Sequence, residues 1–313
     1  MSRKKGRPVN GMLLLNKSAG MTSNAALQQA KRLFFAQKAG HTGSLDPLAT
    51  GVLPICFGET SKFSQYLLDA DKRYISRVKF GVATETGDAD GAVVATADAS
   101  GLTAAKIEAV LPEFRGHISQ IPSMYSALKY QGKPLYQWAR EGITVPRQPR
   151  DIVVFEYKLL DFYPGPEAQA DIEVHCSKGT YIRTLAEDLG NALGVGAHVV
   201  RLHRSNAGTF ADTSSITLDD LSVERGEQSA DILDHHLLPV DAPVQSLPSI
   251  AIPEGTSFYF SQGQAVMHTK VYRLCTEGDM VRVFADSGDF LGVGKVTDDG
   301  RIAPKRLVST IGQ

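Results

Sequence analysis

Residues 40–53 contain a single acid, Asp46, among glycines, small polar residues and aliphatic residues. Glycine permits backbone angles that are closed to other residues, so this run can fold tightly around a ligand. Pro47 biases Asp46 toward an extended conformation and prevents a helix from running through it. Such a loop can present one reactive carboxylate. The alternative is an ordinary turn, because Asp-Pro is a common turn dipeptide and most loop carboxylates are solvated.

A second segment, residues 170–190, is predicted to be a strand, a glycine turn and a helix, and it carries an arginine in an unusual place. We expect Thr180 to cap the helix, which puts Arg183 at the third helical position. A cation is disfavoured there by the helix dipole, and a glutamate is the usual residue. The pattern therefore indicates that Arg183 has a partner outside the helix, most simply a carboxylate, with a surface ion pair as the alternative. Tyr181, on the same turn, can present its ring to the same place.

Composition limits the class of protein. A chain of 313 residues with 42% hydrophobic and 21% charged residues is typical of a folded protein with one large and one small domain. The N-terminus is basic, but the apolar stretch at residues 12–15 is too short for a signal peptide or a membrane span. The three cysteines are far apart and form no metal-binding or disulfide pattern. We expect a cytoplasmic protein.

The net charge of −1 conceals two charged segments. Residues 115–150 contain six basic residues and one acid, which gives +5, and residues 212–241 contain eight acids and one arginine, which gives −7. The basic segment also contains four aromatic residues, Tyr125, Tyr130, Tyr136 and Trp138. Positive charge attracts a phosphate backbone, and flat rings stack on unpaired bases. The basic segment is thus a candidate RNA-binding surface, with a solvated face and ordinary core aromatics as the alternative, and we expect the acidic segment to stay off the RNA.

The order of predicted elements indicates an α+β fold. Strands are predicted at residues 11–16, 72–82, 92–96, 152–162, 170–176 and 198–204, and helices at 25–35, 103–111 and 180–193. Prolines after residue 237 indicate a linker. Beyond it, β-rich runs at 271–274, 280–285 and 290–296 predict a compact all-β module. We therefore divide the chain into residues 1–247 and 248–313.

Three short patterns resemble cofactor sites but are incomplete. Residues 88–91 resemble the start of a calcium loop, yet the later ligand positions hold alanines. Residues 292–295 lack the first glycine and the serine or threonine of a phosphate-binding loop. The pair His235-His236 lies in the acidic stretch and is more typical of a surface than of a metal site. We expect no nucleotide, metal or organic cofactor.

Several of these segments together resemble one enzyme family. Residues 40–51, 73–91, 179–185 and 199–204 are similar, in order and over nearly the full chain, to the motifs of the bacterial tRNA pseudouridine-55 synthases, the TruB family. The resemblance implies that Asp46 is the catalytic aspartate and that Arg183 pairs with it. It also implies four substrate-binding residues: His41, Tyr74 stacked on the target uracil, Tyr181, and Leu202 beneath the flipped base.

The resemblance implies a fold as well. It consists of a mixed pseudouridine-synthase catalytic domain, an inserted RNA-gripping segment at about residues 120–150, and a small C-terminal PUA-like RNA-binding domain. Ser18 and Ser123 stand where the family commonly has proline, and both positions are predicted to lie in loops without a chemical role.

The implied activity is isomerisation of uridine 55 in the T-arm loop of tRNA, by base flipping and an aspartate-dependent rearrangement of the glycosidic bond. We expect a monomer that uses no cofactor, membrane or obligate protein partner. Two alternatives stay open. One is a tRNA-folding chaperone without essential catalysis, and the other is a guide-RNA-dependent, dyskerin-like synthase. The basic, aromatic insertion favours the stand-alone enzyme, because recognition without a guide needs its own grip on the RNA.

Overall fold

The computed structural model describes residues 5–269 and 271–309. The strands are β1 (Gly11–Lys17), β2 (Ala39–His41), β3 (Thr50–Phe57), β4 (Lys72–Phe80), β5 (Val82–Thr84), β6 (Val93–Thr96), β7 (Gly116–Gln120), β8 (Lys129–Tyr130), β9 (Lys133–Pro134), β10 (Arg150–Tyr163), β11 (Gln169–Cys176), β12 (Ala197–Ala207), β13 (Phe210–Ala211), β14 (Ser249–Ile252), β15 (Val266–Met267), β16 (Met280–Ala285), β17 (Phe290–Val296) and β18 (Arg301–Leu307). The helices are α1 (Ser23–Leu33), α2 (Ser64–Asp69), α3 (Ala104–Val110), α4 (Leu135–Arg140), α5 (Ile182–Ala192), α6 (Leu218–Arg225) and α7 (Glu254–Ser261).

A nine-stranded sheet forms the centre of the N-terminal part, in the order β1-β3-β12-β4-β11-β10-β7, with β2 added to β3 and β13 added to β12. Its pairs are antiparallel except β3 with β12. Every second residue of β11 is buried, as expected for a strand with one face on the core. The buried residues of α5 complete that core. The α+β class is thus confirmed.

The start of α1 agrees with the sequence pattern, whereas the start of α5 does not. Thr22 caps α1 and accepts a hydrogen bond from the Ala25 N–H at 3.1 Å. The predicted cap at Thr180 is wrong, because its hydroxyl instead donates to the Ser177 carbonyl at 3.0 Å and closes the turn before the helix. Tyr181 is the N-cap, so Arg183 is the second helical residue and still lies at the positive end of the dipole.

The C-terminal part has its own five-stranded sheet, in the order β14-β16-β17-β18-β15, with helix α7 packed against it and a separate hydrophobic core. The predicted strand at residues 271–274 is wrong, because Val271–Arg273 is a short 3-10 helix. Val271 is buried in this core, while the Tyr272 hydroxyl donates to the Thr297 carbonyl at 2.6 Å. This hydrogen bond anchors Tyr272 to the turn between β17 and β18. Local strand preference cannot predict such a tertiary contact.

The C-terminal sheet packs against the N-terminal part through a small apolar cluster that includes Phe63, Val244 and Val293. Beside the cluster, Arg282 binds the Asp241 carboxylate at 2.8 Å and so ties β16 to the linker. Among the helices within the described residues, none is long and apolar enough to cross a membrane.

Candidate active site

The loop that carries Asp46 runs between β2 and β3 and is tied down at several points. The ammonium group of Lys17, fully buried at the end of β1, donates to the Met21 carbonyl at 2.8 Å. Burial lowers the pKa of Lys17 to about 8, although Asp46 opposes this. Ser23 exchanges two hydrogen bonds with the main chain of Leu45, at 2.9 and 2.7 Å. The carboxylate next to Leu45 is therefore presented from a fixed backbone.

Arg204 on β12 braces the same loop from the other side. Its side chain is 1% exposed and donates to the carbonyls of Val52, at 2.8 Å, and Gly43, at 3.2 Å. Gly51 has a φ of +103°, and a Cβ there would lie 2.2 Å from the Arg204 carbonyl oxygen. Glycine at 51 is thus required by the close approach of β12. From the sequence alone, the glycines of this run are expected to make room for a ligand, whereas Gly51 makes room for the main chain of β12.

Asp46 and Arg183 meet as predicted. Arg183 Nε lies 2.9 Å from Asp46 Oδ2, but the N–H is not aligned with that oxygen, so the contact is an ion pair without hydrogen-bond geometry. Only 4% of the Arg183 side chain is exposed, against 39% for Asp46. Arg183 also donates to the main-chain carbonyls of Thr86, at 2.8 Å, and Tyr125, at 2.9 Å. These contacts hold the guanidinium in place while the carboxylate stays accessible.

A second acid, Asp88, shares the arginine and was missed by the sequence interpretation. Its carboxylate is buried, lies 3.4 Å from Arg183 Nη1, and accepts hydrogen bonds from the Thr86 hydroxyl and the Asp90 N–H. The sequence pattern at 88–91 indicated a turn, and a turn is present. What the pattern could not show is that this turn docks on β12 through Asp88 and Val199, and so brings the acid to the arginine.

The environment raises the pKa of Asp46, mainly because the surrounding protein partly desolvates the carboxylate even though 39% of its side chain is exposed. The Asp88 carboxylate adds to the rise, whereas the Arg183 guanidinium and the Lys17 ammonium oppose it. The sequence interpretation expected this balance between an apolar pocket and Arg183. The result is a carboxylate that is more basic than a solvated aspartate and has a cation that favours its ionised form.

Tyr74 and Leu202 lie on one face of the central sheet. Tyr74 on β4 is opposite Arg204 on β12, and Ser76 is opposite Leu202 two positions along, so Tyr74 and Leu202 are diagonal neighbours. Leu202 lines a cleft of about 530 Å³ together with Pro47. Burial raises the pKa of Tyr74, which keeps its phenol protonated and favours a stacking role over that of a base.

His41 and Tyr181 flank this site at the ends of two elements. His41 ends β2, and within the described residues its buried Nδ1 has no hydrogen-bond partner. Burial and the Arg204 guanidinium lower the pKa of His41, so its imidazole is neutral at physiological pH. Tyr181 is the N-cap of α5, two residues before Arg183.

Three family models of known proteins match consecutive parts of this chain. Residues 31–182 match the family model described as "TruB family pseudouridylate synthase (N terminal domain)", and residues 183–245 match "tRNA pseudouridylate synthase B C-terminal domain". Residues 248–308 match "Pseudouridine synthase II TruB, C-terminal". The tRNA pseudouridine synthase B of Saccharophagus degradans is 56% identical over 98% of each chain. The chain belongs to the TruB family.

Other similar proteins agree with this membership. The tRNA pseudouridine synthase B of Shewanella sp. (strain W3-18-1) is 50% identical and is matched over 98% of this chain and 96% of its own. A chain in the crystal structure of a Cbf5-Nop10-Gar1 complex is 25% identical, with a TM-score of 0.71, over 96% of this chain and 85% of that one. The resemblance seen in the motifs is therefore confirmed, and so is the pseudouridine-synthase fold.

In this TruB-family chain the predicted insertion is attached to the active site by a residue that the motifs did not reveal. Gln120, at the end of β7, is 3% exposed. Its side-chain carbonyl accepts from the Tyr181 N–H at 2.8 Å, and its amide donates to the Tyr181 carbonyl at 3.1 Å. Nothing in the sequence near Gln120 indicates this contact, because the partner is about sixty residues away.

The insertion exposes fewer free cations than the sequence predicts. Lys129 and Arg140 are exposed. Arg147 is half-buried and donates to the Pro122 carbonyl at 2.9 Å, whereas Lys133 pairs with Glu141 at 2.5 Å. The remaining two basic residues lie at the edges of the segment. Charge available to a phosphate backbone is therefore concentrated at a few positions.

Proposed function

We propose that this chain isomerises uridine to pseudouridine in tRNA and that its target is uridine 55 in the T-arm loop. The observation that supports this most strongly is the contact of the buried Arg183 with the accessible, more basic carboxylate of Asp46. The names of its TruB-family relatives, tRNA pseudouridine synthase B, support the substrate class.

The target uridine must leave the folded T-arm loop before it can react. Diagonal neighbours on a sheet have Cα atoms about 7–8 Å apart. Both side chains are therefore close enough to contact one flat base placed over this face of the sheet, and the flipped uracil stacks against Tyr74 and Leu202 and regains the stacking that it lost. The neutral imidazole of His41 suits contact with a loop nucleotide better than attraction of a phosphate, and Tyr181 binds the substrate beside it.

Asp46 acts in its ionised form. The reaction breaks the N1–C1′ bond, turns the uracil and joins C5 to C1′. The C5 proton is then lost to a proton acceptor and N1 takes up a proton, so the product is an isomer of the substrate. It transfers no electrons and no group from a donor, so the proposal needs no catalytic metal or organic cofactor. Asp46 serves as nucleophile or as proton acceptor in this sequence, and Arg183 orients it and favours its charge.

RNA binding rests on two parts of the chain. The insertion, at about residues 120–150, carries the exposed Lys129 and Arg140. The proposed C-terminal domain, residues 248–313, exposes Lys295, Lys305 and Arg306 on β17 and β18. Because these surfaces bind tRNA without a guide RNA, we propose a stand-alone enzyme. We also propose that it is cytoplasmic and acts as a monomer.

The test measures tritium released from a full-length tRNA transcript that contains uridine labelled with tritium at C5. The wild-type chain, without guide RNA, is expected to release about one equivalent per transcript. A matched transcript with cytidine at position 55 should release none. Release only after a guide RNA is added would overturn the stand-alone assignment. Faster tRNA folding without any release would favour the chaperone, and release from the cytidine-55 transcript would exclude position 55 as the sole target.

A further inference from the structure

A cluster of three metal-ligating side chains lies outside the active site. Helix α6 and the following 3-10 helix, Ala230–His236, bring together Glu224, His235 and His236. His236 Nε2 is 2.7 Å from Glu224 Oε2, and His235 Nε2 is 3.2 Å from Glu224 Oε1. The two imidazole rings lie with their centroids 4.0 Å apart. The sequence interpretation had taken the two histidines for surface residues, because the carboxylate between them is distant in the chain.

The hydrogen bonding of His235 leaves one nitrogen facing the carboxylate. His235 Nδ1 is 2.8 Å from the Ile232 carbonyl oxygen. A carbonyl only accepts, so Nδ1 carries a proton and the neutral ring has its lone pair on Nε2. This lone pair faces Glu224 Oε1, which is also an acceptor. Two acceptors in contact need a cation between them, either a second proton on the ring or a metal ion.

We propose that Glu224, His235 and His236 bind one divalent transition-metal ion of the Zn²⁺ type, with water in the remaining position. Imidazole nitrogens and a carboxylate are ligands that Zn²⁺ prefers, at about 2.0–2.2 Å. Neighbouring ligand atoms of a tetrahedron with such bonds are roughly 3.3 Å apart, close to the 3.2 Å between His235 Nε2 and Glu224 Oε1. The 2.7 Å between His236 Nε2 and Glu224 Oε2 is a hydrogen bond that the ion must replace, so these two atoms move apart by about 0.6 Å when it binds. The bond from Nδ1 to a main-chain carbonyl is also the usual outer contact of a metal-bound histidine.

The surroundings favour a cation as well. Residues 212–241 carry a net charge of −7, and the metal would lie within that segment. The ion ties α6 to the 3-10 helix, which is already joined to the N-terminal segment by the Arg7–Asp234 ion pair. None of the three ligands lines the cleft at Pro47 and Leu202. The site therefore stabilises this corner of the fold and takes no part in the proposed isomerisation.

The test titrates zinc chloride into the full-length, untagged chain after treatment with a chelator, and follows binding by calorimetry and the melting temperature. About one equivalent should bind, with a rise in melting temperature. Glu224→Gln and His235→Ala are each expected to weaken binding by about tenfold or more and to abolish most of that rise. The control His117→Ala removes an exposed histidine on β7 and should leave binding unchanged.

Absence of saturable zinc binding would overturn the proposal and assign the contact to a protonated His235 paired with Glu224. Binding that survives both ligand variants would overturn it too, because the ion would then lie elsewhere. His235 is 60% exposed, so its replacement by alanine leaves no cavity in the core and folding is preserved. Pseudouridine formation is expected to be the same in all of these variants.

Discussion

Arg183 is the residue that connects the parts of the site. It is buried at the start of α5, contacts Asp46 and Asp88, and donates to the carbonyls of Thr86 and Tyr125. The loss of this one side chain would leave two carboxylates close together without their shared cation. A lysine cannot replace it, because a single ammonium group lacks the planar, forked geometry that reaches all four partners.

The pH dependence of the reaction tests the role of Asp88. Asp46 acts when ionised, so activity falls as the pH drops through its raised pKa. Asp88→Asn removes a negative charge that contributes to this rise, while the asparagine can still accept from the Asp90 N–H. The pKa of Asp46 should fall, and the acid limb of the single-turnover rate should move to lower pH. An acid limb that stays in place or moves to higher pH would contradict this electrostatic account.

At the scale of single residues, the sequence predicted the pair that has unusual chemistry. Arg183 was recognisable because a cation in the first turn of a helix is out of place, and Asp46 because it is the one acid in its loop. Lys17 and Arg204 were not recognisable. Both are charged residues buried on strands, and the carbonyls they bind come together only in the folded chain.

At the scale of elements, β7 and α5 meet where Gln120 binds the main chain of Tyr181. The contact satisfies an N–H and a carbonyl at the start of the helix that also carries Arg183. It therefore fixes the distance between the base of the insertion and the active site.

Gln120→Leu tests this connection, because leucine fills a similar volume without making either hydrogen bond. We expect the free energy of unfolding to fall by about 1–3 kcal/mol, since the Tyr181 N–H loses its partner, whereas the Tyr181 carbonyl still accepts from the Leu185 N–H. Turnover should fall more than tRNA affinity. Gln120→Glu should recover part of the loss, because it still accepts from the Tyr181 N–H. The control is Gln137→Leu, at an exposed position of α4. Equal turnover in Gln120→Leu and the wild type would exclude a positioning role.

Regular elements were predictable where burial alternates along the strand, as in β11. Prediction failed where a side chain had a better partner outside its own element. Thr180 closes the preceding turn through Ser177 and leaves the capping position to Tyr181. Tyr272 binds the turn after β17 and draws a strand-like run into a 3-10 helix.

At the scale of the whole molecule, exposed positive charge lies on the insertion and on the C-terminal sheet, and the acidic segment lies apart from both in sequence. The sequence predicted the basic insertion and the acidic segment, but it did not single out the cations of the C-terminal sheet. It could not separate free cations from those bound to carbonyls or acids, such as Arg147 and Lys133, because those partners depend on folding.

The salt dependence of tRNA binding tests which cations face the RNA. Replacing Lys129 and Arg140 by alanine should weaken binding and reduce the slope of log Kd against log salt by roughly one unit for each phosphate that the variant no longer binds. The control is Arg115→Ala, because the Arg115 guanidinium is bound to the Tyr157 carbonyl. An unchanged slope in the double variant would remove this part of the insertion from the interface.

The central claim, that Asp46 carries the chemistry, is tested most directly by Asp46→Asn in the tritium-release assay, with tRNA binding measured in parallel. The site raises the pKa of Asp46 and so disfavours its charge, which means that an uncharged asparagine should not lower the melting temperature at neutral pH. Binding rests on the cationic surfaces and stacking residues and should persist. The predicted result is a stable variant that binds tRNA and releases no tritium. Release at a rate near that of the wild type would contradict the assignment of Asp46.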